Sequence, residues 1–447
     1  MNPLETAFLL MASFRNWQTS KWLVAALVLS VGVPTEIQAE TATTPTDYTV
    51  TPTSTIPANN HEQAQLFVRE LDGTHGSPQP KAVLMLHGRS VPALAGFDLD
   101  YDQGKYSWAG DLAKAGFDVF VMDLQGSGRS RSSPLLKALM EDPCNTSALQ
   151  QIEGVLIPHP LSAACPAPPN YPHQLNNSQS DWDELDAVVE FIRNNVHGQG
   201  YVQKVTLIGW SAAAFQIGPY TLQHSEKVES VLLLAPVFPP NGRASKPGTR
   251  FDAPVPLPVS DPPALYGFPM NITTKDAFES PWDAEQHCPR QREDTMVDVV
   301  WKAIMDNDEK GKTWGPDEEP GQPQGAMRVR NSYWWGWNSD TVLGDVNGIL
   351  GGTVPVFIVY GDLDTQANTS PDLGQRYFSV PALYKAIRGE KKLMFRVACT
   401  GHSMVWERKS KIPLHLMSEQ WLRQTKVFGL TSGSFFWNED GSIEIVE

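Results

Sequence analysis

Short continuous apolar runs alternate along the chain with stretches whose apolar positions recur every three to four residues. Runs of the first kind are Ala82–Leu86, Phe117–Met122, Lys204–Trp210, Val228–Val237, Val354–Tyr360 and Lys392–Ala398. Each has the length and unbroken hydrophobicity of a strand buried on both faces. Between them lie helical patterns: Trp108 to Ala115, then Trp182 to Asn194 with Leu185, Val188, Val189 and Ile192 on one face, and a closing amphipathic stretch from Pro413 to Thr425. Strand and helix in alternation predict an α/β architecture, a mostly parallel central sheet flanked by helices.

Two segments break the rhythm. Arg129 to Ser180 is rich in Pro and Ser and has no sustained period. Phe238 to Gly352 is longer and carries Trp282, Trp301, Trp314, Trp334, Trp335 and Trp337. Loops of this length inside a compact domain usually have structure and a task of their own. The second falls between two core strands, where a cap over a site is expected. Its tryptophans read equally well as a pocket wall or as the cap's own core. The expected organisation is therefore residues 61–237 as the first part of the core (with the insertion 129–180), 238–352 as a cap or lid, and 353–447 as the second part.

At the N-terminus, Arg15 and Lys21 precede an apolar stretch from Trp22 to Val33, and Glu36-Ile37-Gln38 then leads to the small residue Ala39. The apolar stretch is shorter than the roughly twenty residues that span a bilayer. Residues 1–39 thus read as a signal peptide cleaved after Ala39, with an uncleaved anchor as the alternative. The Thr- and Pro-rich residues 40–60 read as a flexible lead-in. An exported chain with four cysteines points to two disulfides. Cys144 and Cys165 share one insertion, which favours a local staple and leaves Cys288 with Cys399; sequence alone permits three pairings. The formal net charge of −15 disfavours nucleic acid and anionic membranes as partners. No spacing typical of a metal site occurs.

The strand Lys204–Trp210 runs into Ser211-Ala212-Ala213 and then a helical start at Ala214. Strand, tight turn through a serine and helix is the geometry of a nucleophile elbow. An ordinary turn has the same look, so the partners matter. Acyl transfer from an activated serine needs a base, an acid to orient it, and donors for the developing oxyanion. Two later strand ends supply them. Val354–Tyr360 ends in Gly361-Asp362-Leu363-Asp364, and Lys392–Ala398 ends in Cys399-Thr400-Gly401-His402. Parallel strands place these ends on one edge with Ser211, and the chain order Ser, Asp, His matches that architecture. Asp362 and Asp364 compete for the acid role. Asp364 is preferred because the longer turn lets its carboxylate reach the histidine, and Asp362 then stabilises the turn.

His87-Gly88-Arg89-Ser90 follows an early strand and is a candidate oxyanion loop, with the backbone N–H groups of Arg89 and Ala212 as donors. The alternatives are a plain turn with His87 packed beneath it, or an Arg89 side chain that binds a substrate carboxylate. Asp123-Leu124-Gln125-Gly126-Ser127-Gly128 superficially looks like a phosphate loop. It lacks the full dinucleotide fingerprint and reads as a glycine turn held by Asp123.

Together these segments resemble the α/β-hydrolase superfamily from about Gln63 to the final helix. The motifs are Leu86-His87-Gly88, Asp123-x-x-Gly126-x-Gly128-x-Ser130, Gly209-x-Ser211-x-Ala213, Gly361-x-x-Asp364 and Gly401-His402. Ala213 stands where the usual pattern has glycine. The resemblance implies Ser211 as nucleophile, Asp364 as acid, His402 as base and an oxyanion hole from Arg89 and Ala212. With the signal-peptide reading of the N-terminus, the expectation is an exported (periplasmic or secreted) serine hydrolase, a carboxylic ester hydrolase, with a small-molecule ester as its partner and no cofactor or metal. Peptidase, lactonase, acyltransferase or cofactor-free lyase activity on the same fold is the runner-up, with a non-catalytic binding protein behind it. A long-range Cys288–Cys399 link would tie the cap to the loop that holds the base.

Overall fold

The computed structural model describes residues 44–53, 62–132, 178–242, 270–308, 311–313, 317–329 and 336–446. The Cys144–Cys165 pairing, the leader up to Ala39 and most of the 129–180 insertion lie outside these residues.

The first strand, β1 (Thr46–Val50), pairs antiparallel with β2 (Ala64–Asp72), which pairs antiparallel in turn with β4 (Asp118–Met122). The lead-in expected to be flexible therefore contributes an edge strand. Its alternating exposure explains why an apolar-run criterion passes over it. Next come β3 (Ala82–Leu86), α1 (Ala93–Phe97), α2 (Trp108–Lys114), the β4 strand and a short β5 (Arg131–Ser132) beside β2. Helix α2 starts at Ser107, whose side chain accepts the Gly110 N–H, a cap worth about 1 kcal/mol.

Helix α3 (Ser178–Asn194) leads into β6 (Val205–Trp210), α4 (Ala214–Gln223) and β7 (Val228–Leu234). After the long insertion come β12 (Val356–Gly361), α8 (Val380–Ala386), β13 (Lys392–Val397), α9 (Arg408–Gln424), β14 (Gly433–Trp437) and β15 (Ile443–Ile445). The strands run side by side as β1-β2-β4-β3-β6-β7-β12-β13-β14-β15. All neighbours from β4 to β14 are parallel. Every residue of β3, β4, β6 and β12 is buried, as helices on both faces require.

Two differences from the sequence pattern concern the C-terminal part. The strand at Lys392 is not the last, because β14 adds in parallel and β15 turns back antiparallel along it. Helix α9 begins at Arg408, before Pro413, which lies inside it. The Ser410 hydroxyl donates to the Met404 and Glu407 carbonyls and steadies that first turn.

Between β7 and β12, the inserted chain forms elements off the main sheet. Strand β8 (Met270–Thr273) pairs with β11 (Ala326–Val329), and β9 (Asp317–Glu319) with β10 (Gln322–Pro323). Helices α5 (Lys275–Asp283), α6 (Met296–Asn307) and α7 (Ser339–Leu343) complete the described part. Trp282 and Trp301 are buried in its packing, and Trp337 stands edge-on to Phe238. Trp314, Trp334 and Trp335 lie outside the described residues. Among those residues no helix is long and apolar enough to cross a membrane.

Candidate active site

The C-terminal ends of β3, β6, β12 and β13 converge on one point. At the end of β6 the chain turns sharply at Ser211, whose φ is +58°. A left-handed serine costs energy and turns its hydroxyl out of the strand end. The neighbours make room: a Cβ on Gly209 would stand 2.5 Å from Ile217 Cδ1, and one on Gly88 would stand 3.1 Å from Ser211 Cβ. The Ala213 Cβ would stand 3.1 Å from a Cβ on Gly209, so the missing side chain at Gly209 leaves room for alanine at 213. A short 3-10 turn, Ser211–Ala213, then feeds α4.

His402 sits beyond β13 and is buried. Its Nε2 is 2.8 Å from Ser211 Oγ, and its Nδ1 is 3.0 and 3.1 Å from the two oxygens of Asp364. A carboxylate accepts, so Nδ1 carries the ring proton and Nε2 is left to accept from the serine hydroxyl. Asp364 Oδ1 also accepts the Gln366 and Ala367 N–H groups at 2.9 and 2.8 Å, which fixes the carboxylate's plane. Asp362 points elsewhere: its Oδ1 accepts the Thr400 N–H at 3.3 Å, bracing the histidine loop. Of the two candidate acids, Asp364 is the one brought to the imidazole.

Burial pulls the His402 pKa down, but Asp364, with Glu285 and Glu407 behind it, outweighs that and raises it above its ordinary value. The ring is framed by aromatics. Trp210 Nε1 donates to the His402 carbonyl at 3.1 Å, and Trp406 packs edge-on against Trp210 with centroids 5.0 Å apart.

A cavity of about 220 Å³ opens at Ser211. Gly88, Arg89, Ser90 and Ala212 form one side, and Trp210, Trp406, Phe278 and Phe378 give it an aromatic wall. Among the described tryptophans of the inserted segment none lines it; the wall tryptophans come from the core, at the end of β6 and after β13. Both residues singled out as oxyanion donors, Arg89 and Ala212, border the cavity. His87 lies beneath this loop. Its Nδ1 is 2.6 Å from the Gly88 carbonyl, and its Nε2 accepts the Leu124 N–H at 3.2 Å. Asp123, fully buried, accepts the Ala93 and Arg129 N–H groups, and burial pushes its carboxyl up to about 7. The Gly126-x-Gly128 stretch is thus a turn held by Asp123, with both glycines at positive φ.

The sequence profile of the alpha/beta hydrolase fold matches residues 81–409, well over half the chain. The chain belongs to the alpha/beta hydrolase fold family. No curated protein sequence matches this hydrolase-fold chain. Several solved structures are similar to it. A probable hydrolytic enzyme from Pseudomonas aeruginosa is 14% identical with a TM-score of 0.46, covering 84% of this chain and 94% of that one. A carboxylesterase from Bacillus subtilis is 10% identical with a TM-score of 0.44, covering 84% and 92%. A thermophilic esterase from Thermogutta terrifontis is 12% identical with a TM-score of 0.42, covering 84% and 98%.

Sequence reasoning missed one set of residues here. Glu285 and Glu407 are fully buried against the loops of Asp364 and His402. A signal existed in Trp282-Asp283-Ala284-Glu285 and Trp406-Glu407, but a lone glutamate beside a tryptophan carries no distinctive spacing.

A second cluster of buried ionisable groups lies between β2 and β4. Glu70 of β2 and Asp118 of β4 face His197, with Glu70 Oε1 2.5 Å from His197 Nε2. Tyr48 donates to Glu70 at 2.8 Å and Tyr201 to Asp118 at 2.9 Å.

Proposed function

We propose that this protein is a serine hydrolase that cleaves carboxylic esters of small molecules through Ser211, His402 and Asp364. The observation that carries the reading is the unbroken chain of hydrogen bonds from Ser211 Oγ through the imidazole to Asp364.

Ser211 Oγ attacks the ester carbonyl carbon as His402 Nε2 takes its proton. Negative charge gathers on the former carbonyl oxygen, where the backbone N–H groups of Arg89 and Ala212 receive it. Asp364 holds the ring in the Nδ1–H tautomer and steadies the imidazolium. The C–O bond to the alcohol breaks and the alcohol leaves with the proton from Nε2. Water then repeats the sequence on the acyl-serine and releases the carboxylic acid. The apolar, aromatic cavity wall supports an apolar substrate portion beside the scissile bond.

The elements between β7 and β12 serve as the cap of this site: Thr273, Ala277, Phe278 and Pro281 from β8 and α5 border the cavity. The Cys288–Cys399 disulfide supports export to an oxidising compartment, since such bonds persist there and are rare in the cytosol.

The deciding experiment is hydrolysis of p-nitrophenyl esters of graded chain length by the parent and by His402→Ala. The reading requires parental turnover and its near-complete loss in the variant. Equal rates for the two proteins sink it.

A further inference from the structure

Two glutamates lie against the base's loop, and the chemistry above uses neither. Glu285 comes from the inserted segment, just past α5, and is fully buried. Its Oε2 accepts the His402 N–H at 2.7 Å. Its Oε1 accepts the Thr365 N–H and the Thr365 hydroxyl, both at 2.9 Å. Thr365 directly follows Asp364. A single carboxylate from outside the main sheet is therefore bonded to the base and to the neighbour of the acid. Gly401 shows how close the approach is: a Cβ there would stand 2.6 Å from Glu285 Oε2.

The segment that delivers Glu285 is itself pinned. Glu407 accepts from Trp282 Nε1 at 2.9 Å, from Gln286 and Gln291 at 3.0 Å each, and from the Gly401 N–H at 2.9 Å. Gln291 Nε2 also donates to the Glu285 carbonyl at 3.0 Å. The Cys288–Cys399 bond joins the same two stretches of chain covalently.

Both carboxylate oxygens accept from backbone N–H donors, a pattern that an amide, with one acceptor oxygen and an NH2 donor, does not reproduce. Every hydrogen bond described at the Glu285 carboxylate is one it accepts, as suits an ionised group. Among the described residues, no lysine or arginine forms an ion pair with it. The positive charge within its reach is the one that appears on His402 during turnover. We propose that Glu285 is a positioning residue for the Asp364–His402 pair, which sets the spacing of the two loops and stabilises the imidazolium with its buried charge. The inference rests on the ester-cleaving reading of the site.

The ionisable groups facing the imidazole are Asp364 on the loop after β12, Glu285 on the inserted segment and Glu407 before α9. Ser211 faces it from the elbow, and Arg89 borders the cavity from the loop after β3. Removing Glu285's charge leaves the other two carboxylates in place, so the imidazolium is weakened and not abolished.

The test compares the full, oxidised chain with Glu285→Gln and Glu285→Asp. The readouts are kcat and KM on a p-nitrophenyl ester, thermal melting, and the rate at which a fluorophosphonate labels Ser211 as pH varies. For Glu285→Gln we expect KM within about twofold and kcat lower by roughly ten- to a hundredfold. Its acid limb moves to lower pH. Glu285→Asp keeps the charge on a shorter arm, so its kcat falls while its acid limb stays near the parental midpoint. A parental kcat and pH limb in a folded Glu285→Gln overturns the proposal, as does a loss carried by KM alone. If Glu285→Gln does not fold, Glu285→Asp decides: reduced kcat with a parental limb supports the role, and parental kcat rejects it. A parent that is not labelled at Ser211 removes the ester-cleaving reading and this inference with it, whereas a labelled parent with an indifferent Glu285→Gln removes only the inference.

Discussion

Cys399 is bonded to Cys288, 111 residues away in sequence, and stands three residues before His402. The bridge fastens the loop that carries His402 to a segment lying outside the central sheet. Closing a loop of that length restricts the unfolded chain, which by the chain-entropy account stabilises the fold by about 2 to 5 kcal/mol. We predict that Cys288→Ser with Cys399→Ser lowers stability by that order in a denaturant titration. A variant as stable as the parent would show that the hydrogen bonds around Glu285 and Glu407 hold these segments unaided.

The two aspartates after β12 separate in space, and the roles proposed for them separate accordingly. Asp364 touches the imidazole, while Asp362 braces Thr400. Asp364→Asn is expected to lower kcat by roughly 10⁴-fold, since the ring then loses its Nδ1–H tautomer. Asp362→Asn, at the edge of the same turn, is expected to cost less than about tenfold. Steady-state kinetics on both variants checks the assignment, and a reversed order of effects refutes it.

Catalysis by the proposed route needs a neutral His402 before Ser211 attacks. Burial lowers the pKa of this imidazole, and the surrounding carboxylates, Asp364 foremost, raise it further than burial lowers it. With the net shift upward, protonation persists to higher pH than for an ordinary histidine. We therefore expect kcat/KM to rise with pH through a midpoint above the usual histidine value of about 6.5. A pH–rate profile with its acid limb at or below that value contradicts the electrostatics of the site.

Asp118, at the start of β4, is fully buried, and its Oδ1 has no hydrogen-bond partner. Burial first and the charge of Glu70 next hold its carboxyl well above the usual carboxylate range. The folded state then keeps a proton that the unfolded chain has released. Its favourable contribution is complete below the unfolded value and is lost as pH climbs through the raised one. Asp118→Asn keeps the shape without the charge and gives the site a donor to turn toward Glu70. It should stabilise the protein by about 1 kcal/mol at pH 8 and hardly at all at pH 4. Chemical denaturation at the two pH values tests this.

The strands at the heart of the sheet were legible in the chain because they are buried on both faces, and such burial writes itself as an unbroken apolar run. The elbow was legible for a similar reason: a serine after such a run, with Gly209 two positions before it and Ala212 and Ala213 after it, leaves a local mark that the φ of +58° at Ser211 explains. Asp364 and His402 could be nominated because parallel strands bring their C-terminal ends to one edge, which is a rule of topology.

Strands β1, β14 and β15 were not readable in this way. They lie at or near the sheet's margins, where β1 and β15 expose most of their residues and carry no continuous apolar signature. The chain alone favoured Asp364 over Asp362, but the contact of Asp362 with Thr400 needed the turn's actual path. So did the pocket wall, where, among the described residues, the tryptophans are Trp210 and Trp406 from the core and none from the inserted segment. Glu285 was hidden altogether. Its meaning lies in three hydrogen bonds to residues 80 and 117 positions away, and such a contact exists only once the chain has closed on itself. Local pattern records which backbone a segment prefers and which face it buries; the pairing of distant polar groups is settled by packing.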